Sequence, residues 1–181
     1  MIAAALWLLV FGVGASHSHT PAPEPLVVLQ WPGAAGNEIP DVFSARFLSA
    51  VRRASAAAAA AAKAPRRFRG YVLDESDRWS LRDGPSLLER FRALPQDTPG
   101  HQRAEAFLDE QGDPDATLNE RETERFAEMV AREYFGTWRR AVQKADPRYP
   151  TVDVRFTSPP PGAVLRGVKA AMQPPNRAAG R

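Results

Sequence analysis

The sequence predicts an α/β protein built on a parallel sheet, and three observations carry the prediction. Strand-like runs and helix-like stripes alternate along the 181 residues. The helical stretches between the strand candidates are long enough to carry the chain back across a sheet, and a parallel connection needs about a dozen residues or more. Finally, 44% hydrophobic and 25% charged residues match an ordinary globular chain rather than a disordered one or a multi-span membrane protein.

The chain begins with an apolar run from Ile2 to Val13. That run is too short to cross a bilayer as a helix and suits the core of a signal peptide. Val13 and Ala15 supply small residues for cleavage, so residues 1–15 are expected to direct export and the mature protein to be secreted. Residues 16–25 read as a proline-rich linker, 26–172 as the folded domain, and 173–181 as a tail without core residues.

Within the domain, residues 26–30 form a short apolar run closed by Trp31-Pro32-Gly33, which predicts a strand and a turn. From Val42 the apolar residues Phe43, Phe47, Leu48 and Val51 fall at helical spacing, and the stripe runs through an alanine tract until Pro65 stops it. Residues 68–74 predict a buried strand around Tyr71-Val72-Leu73, with Asp74-Glu75 at its C-terminal end. Ligands of α/β folds gather at such ends, where side chains and loops converge. Amphipathic helices are predicted over 80–95 and 101–110, separated by a loop holding Pro95, Pro99 and Gly100. The best-defined helix starts after Asn119, with Glu122 placed for a capping box, and keeps one apolar face to about Ala145. Asp146-Pro147 ends it, residues 151–156 alternate as a strand, and 163–172 read as a closing helix.

A formal charge of +3 does not imply a nucleic-acid partner. Basic residues cluster at Arg52, Arg53, Lys63, Arg66, Arg67 and Arg69, but without the interleaved aromatics on which bases stack. The absence of cysteine excludes disulfides, thiolate zinc sites and cysteine nucleophiles together. His17-Ser18-His19 near the mature N-terminus could chelate copper, but the helix-rich pattern does not suit the β-sandwich such enzymes use. No metal or cofactor is expected. There is neither a Gly-x-Ser-x-Gly elbow nor a phosphate-cradling glycine loop.

Specific residues add to this reading. Ile39-Pro40-Asp41-Val42-Phe43-Ser44-Ala45-Arg46-Phe47, then Gly70-Tyr71-Val72-Leu73-Asp74-Glu75 and Trp79, form one block. Leu87-Leu88, Ala93-Leu94-Pro95, Pro99-Gly100, Phe126-Ala127, Val130-Ala131, Tyr134-Phe135, Ala145-Asp146-Pro147 and Arg155-Phe156 follow in order. This succession, over roughly residues 40–156, resembles the central barrel of agarase-type glycoside hydrolases, relatives of the β-galactosidase-like clan.

The resemblance implies a (β/α)8 (TIM) barrel in which Asp-Asn-Glu closes the fourth strand, that Glu serving as acid/base and a second Glu near the seventh strand as nucleophile. A retaining glycosidase needs both carboxyl groups, about 5 Å apart. With Gly70, Tyr71, Asp74 and Trp79 in register, Glu75 falls where the family has Asn and Ser76 where it has the catalytic Glu. Shifting by one residue restores Glu75 to the acid position, but a one-residue shift turns a strand side chain to the opposite face, so Glu75 needs a bulge to reach the site. Glu75 is the candidate acid/base beside Asp74, and Asp41, Asp77 and Trp79 are candidates for sugar contact. On this alignment Arg155-Phe156 ends the fifth strand, the second Glu falls beyond Arg181, and the barrel is partial, since a complete one takes about 250 residues. The expected function is that of a secreted glycoside-hydrolase-like protein, acting on or derived from an enzyme acting on β-galactoside or agar-type polysaccharide and impaired as this chain alone. The alternatives are a non-catalytic carbohydrate-binding remnant, or a basic module that binds acidic polysaccharide through Arg66, Arg67 and Arg69.

Overall fold

The computed structural model describes residues 26–29, 39–63, 70–75, 79, 84–111, 119–149 and 151–173. The expected signal peptide, the linker, all but the first residue of the expected tail, His17, Ser76, Asp77, Arg66, Arg67 and Arg69 lie outside the described residues.

Three strands form one parallel sheet in the order β1 (Leu26–Leu29), β2 (Gly70–Asp74), β3 (Val152–Arg155). The helices are α1 (Ala45–Ala61) between β1 and β2; α2 (Leu87–Arg92), α3 (Pro99–Gln111) and α4 (Glu120–Ala145) between β2 and β3; and α5 (Gly162–Met172) after β3. The α/β class and the parallel pairing match the sequence expectation. The sheet is open, with β1 and β3 as its outer strands among the described residues, so no closed barrel is formed by them.

Local sequence explains most helix limits. Ser44 caps α1, its Oγ accepting from the Phe47 amide at 3.1 Å, so the helix starts three residues later than the apolar spacing suggested. Of the helix expected over 80–95, residues 80–83 lie outside the described residues, and α2 starts only at Leu87 because Gly84 and Pro85 precede a complete capping box: Ser86 Oγ accepts from Glu89 N, and Glu89 accepts from Ser86 N at 2.7 Å. Proline opens α3 at Pro99, where a missing N–H costs nothing, so this helix begins two residues before its predicted start. Asn119 caps α4 as expected, accepting from Glu122 N at 2.9 Å, but the Glu122 side chain does not return the bond.

The register fixes which side chains meet the helices. Tyr71 pairs with Val27 and Val152, and Leu73 with Leu29 and Val154, so these residues share one face of the sheet. Tyr71, Leu73 and Val152 are buried there beneath α4, whose Phe126, Val130, Tyr134, Phe135, Trp138 and Val142 are at most 1% exposed. Each such side chain contributes about 1.5–3 kcal/mol by leaving water. Phe47 of α1 stacks on Tyr134 of α4 at 5.3 Å, which places α1 and α4 on the same face. The other face carries Val28, 48% exposed, together with exposed Asp153 and Arg155, half-buried Asp74 and buried Val72.

Around α4 the core is largely aromatic. Phe126 meets Phe91 at 5.5 Å and Phe107 at 5.3 Å, drawing α2 and α3 onto it. On its other side α5 lies very close: a Cβ on Gly167 would fall 2.5 Å from the Glu128 carbonyl oxygen and 2.7 Å from Ala131 Cβ. Only a residue without a side chain allows this approach.

Candidate functional site

The candidate site is the C-terminal end of β2. The Glu75 amide donates to the Arg155 carbonyl at 3.0 Å, so the ladder runs one residue past the strand without a bulge. Alternation therefore continues, and Glu75 points to the same face as Tyr71 and Leu73, into the helix layer. It is 1% exposed.

Both carboxylate oxygens are engaged there. Tyr134 OH donates to Oε1 at 2.5 Å and Trp79 Nε1 to Oε2 at 3.1 Å. A carboxyl group taken from water is costly unless it is hydrogen-bonded, and the phenol and the indole N–H each supply one bond. The donors are packed in turn: Trp79 lies edge-on to Tyr134 at 5.4 Å and tilted against Phe135 at 5.3 Å, and is itself 1% exposed. The indole that was expected to offer a flat face to a sugar is enclosed by core rings. Its polar edge holds Glu75.

Asp74, the other acidic residue of the predicted pair, is half-buried on the opposite face, in register with Arg155. The structure thus separates the two acids that adjoin in sequence: one enters the helix layer and the other stays on the face away from it.

Asp41, also a candidate for sugar contact, joins two helix starts. Its Oδ1 accepts from Phe43 N at 3.0 Å, in the turn before α1, and its Oδ2 accepts from Gly100 N at 3.0 Å, in the first turn of α3. A Cβ at Gly100 would lie 2.8 Å from the Asp41 carboxyl group, so the glycine makes this contact possible. Both oxygens bind backbone.

A further buried carboxylate stands where the sequence by itself shows only a helix stop. Asp146, 4% exposed, follows the last turn of α4 and accepts from Tyr71 OH at 3.0 Å and from Arg148 Nε and Nη2 at 2.8 and 2.9 Å. The Arg148 hydrogen bonds hold the Asp146 carboxyl down at about 2, against the opposing effect of burial, with Tyr71 helping. Burial, and then the bond to Asp146, push the Tyr71 phenol well above the ordinary tyrosine value. Sequence alone marks this site weakly, through Asp146 two residues ahead of Arg148, a spacing that lets an aspartate accept from a following amide; the Arg148 amide does so at 3.3 Å.

Glu75 and Asp146 cannot act as a pair. They contact α4 at Tyr134 and after its last residue, about 18 Å apart along the helix axis. Paired glycosidase carboxyl groups stand about 5–9.5 Å apart. Among the described residues no three His, Asp or Glu side chains come together to hold a metal ion, and no helix is long and apolar enough to cross a membrane. Comparison with protein-family models, curated proteins and solved structures gives no match to this chain.

Proposed function

We propose that this protein is a secreted, carbohydrate-directed module of glycoside-hydrolase type, related to enzymes that act on β-galactoside or agar-type polysaccharide, and that this chain binds saccharide without cleaving it. Its three strands then correspond to successive units of a (β/α)8 barrel, with the helices outside and the face of Val28, Asp74 and Arg155 turned inward. Parallel strands in sequential order, with α1 and α4 on one face, agree with that arrangement.

One observation carries the non-catalytic half of the reading: the Glu75 carboxylate is enclosed in the helix layer with both oxygens occupied by Tyr134 and Trp79. An acid/base must reach the glycosidic oxygen, and a partner carboxylate must stand opposite it. Glu75 in this position does neither.

The test is to pass the purified chain over agarose and β-galactan matrices while assaying the same polymers for new reducing ends. Retention that free galacto-oligosaccharide reverses, with no reducing ends formed, is the expected result. Reducing ends that vanish in Glu75→Gln overturn the non-catalytic assignment, and absence of binding to every galactan overturns the carbohydrate assignment.

A further inference from the structure

We propose that the outer face of α1 is a binding surface for a sulfated or otherwise strongly anionic polysaccharide, at a place distinct from the strand ends considered above. Helix α1 contains three arginines and no acidic residue. Arg46, Arg52 and Arg53 are all exposed, and none makes an ion pair or side-chain hydrogen bond among the described residues. Among the described residues several other arginines meet a carboxylate, and others, like Arg121 and Arg132 of α4, share their helix with several glutamates. Arg92, Arg103, Arg140, Arg148 and Arg166 each meet a carboxylate at 3.0 Å or less.

The geometry suits a linear polyanion. Arg46 and Arg53 are seven positions apart, two turns along one stripe and about 10 Å in rise. Beyond them Ala56, Ala57 and Ala60 keep the exposed face smooth, and exposed Lys63 follows the helix end. Arg46 also sits in the first turn of α1, which holds no acidic residue, although the helix dipole disfavours a cation there. An anionic partner laid along the face removes that conflict and supplies the missing countercharge.

The face also bears on the kind of polyanion. Apart from the arginines and lysine it presents serine and alanine, with no aromatic ring for stacking bases and no large apolar side chain to enter a bilayer. Arginine's planar fork suits an oxyanion with two oxygens to offer, as in a sulfate ester.

Heparin is the probe. The full chain is titrated with heparin, with double-stranded DNA, and with phosphatidylserine vesicles across a salt series. The wild type is compared with Arg46→Gln/Arg52→Gln/Arg53→Gln and with a control of equal charge loss, Arg121→Gln/Arg132→Gln/Lys144→Gln, whose residues are exposed on α4. We expect heparin to bind more tightly than DNA or vesicles. The α1 variant should lose about tenfold or more in affinity at low salt and flatten the salt dependence, while the control changes less than about twofold. Circular dichroism and thermal melting check that both variants remain folded. Equal losses in both variants, no heparin binding, or DNA or vesicles binding as tightly as heparin would each overturn the proposal. Neutral galactan binding is scored separately, so either reading can fail without the other.

Discussion

The Tyr134 hydroxyl reaches back 59 positions along the chain to donate a 2.5 Å hydrogen bond to Glu75 Oε1, joining the centre of the longest helix to the end of the middle strand. The bond is buried, and Trp79 completes it from the other side. It ties three separate parts of the chain together through one carboxylate.

Tyr134→Phe keeps the ring and removes the donor. The change leaves a buried Glu75 oxygen without its donor, which costs about 1–3 kcal/mol, so the variant should lose stability by about that amount in urea unfolding. Glu75→Gln should also destabilise the fold. A double-mutant cycle should give a coupling of about 0.5–3 kcal/mol, and additive losses would show that the bond contributes nothing of its own.

The Asp146 cluster sets an acid limit. Its carboxyl titrates at about 2 when folded, below the free value of 3.8, so the folded state is favoured while the group is ionised. That stabilisation is complete above the unfolded value and disappears as pH falls from about 5 toward 2. Because the Arg148 side chain is 62% exposed, solvent weakens the pair, and we expect about 1–2 kcal/mol. Melting temperatures of wild type and Asp146→Asn should therefore differ at pH 6 and converge near pH 2. Curves that stay parallel over that range would contradict the assignment.

Gly167→Ala brings a methyl group to within 2.5 Å of the Glu128 carbonyl oxygen. Backbone must move, and overpacking of this kind costs about 1–3 kcal/mol. Gly162→Ala on the same helix finds its nearest neighbour, the tip of Arg166, at 3.7 Å and should be neutral or slightly stabilising. Denaturant unfolding of the two variants separates close helix contact from a general effect of alanine in α5.

Asp41→Ala removes the acceptor for Phe43 N and Gly100 N together. A loss of about 1–3 kcal/mol is expected, with faster amide exchange at Gly100 reporting release of the α3 start. If Asp41 served instead as a sugar contact alone, the variant would melt like the wild type and show the change only in galactan binding.

The legible features were those that neighbouring residues decide. Asn119 and the apolar stripe behind it locate α4 to within a residue, because a side chain three positions from an amide can cap it without help from the rest of the chain. The stop at Asp146 is local in the same way. In α2 the Leu87, Leu88, Phe91 and Leu94 spacing holds for only two turns, and the capping box at Ser86 sets its start against the longer helix that spacing predicts.

The amino-acid order by itself determined the α/β alternation, the parallel crossovers and the acidic end of the middle strand, since periodicity and connection length are properties of the chain alone. What only the tertiary structure decided was the direction and company of the acids. Glu75 and Asp74 are adjacent in sequence, and period-two alternation sends them to opposite faces, but only the packing of α4 makes one of those faces a closed layer in which Tyr134 and Trp79 await a carboxylate. Asp41 and Gly100, and Tyr71 and Asp146, likewise meet only once the helices have docked. A contact across more than 50 residues leaves no periodic trace in a single sequence, because its partners are set by where whole elements pack rather than by their neighbours in the chain.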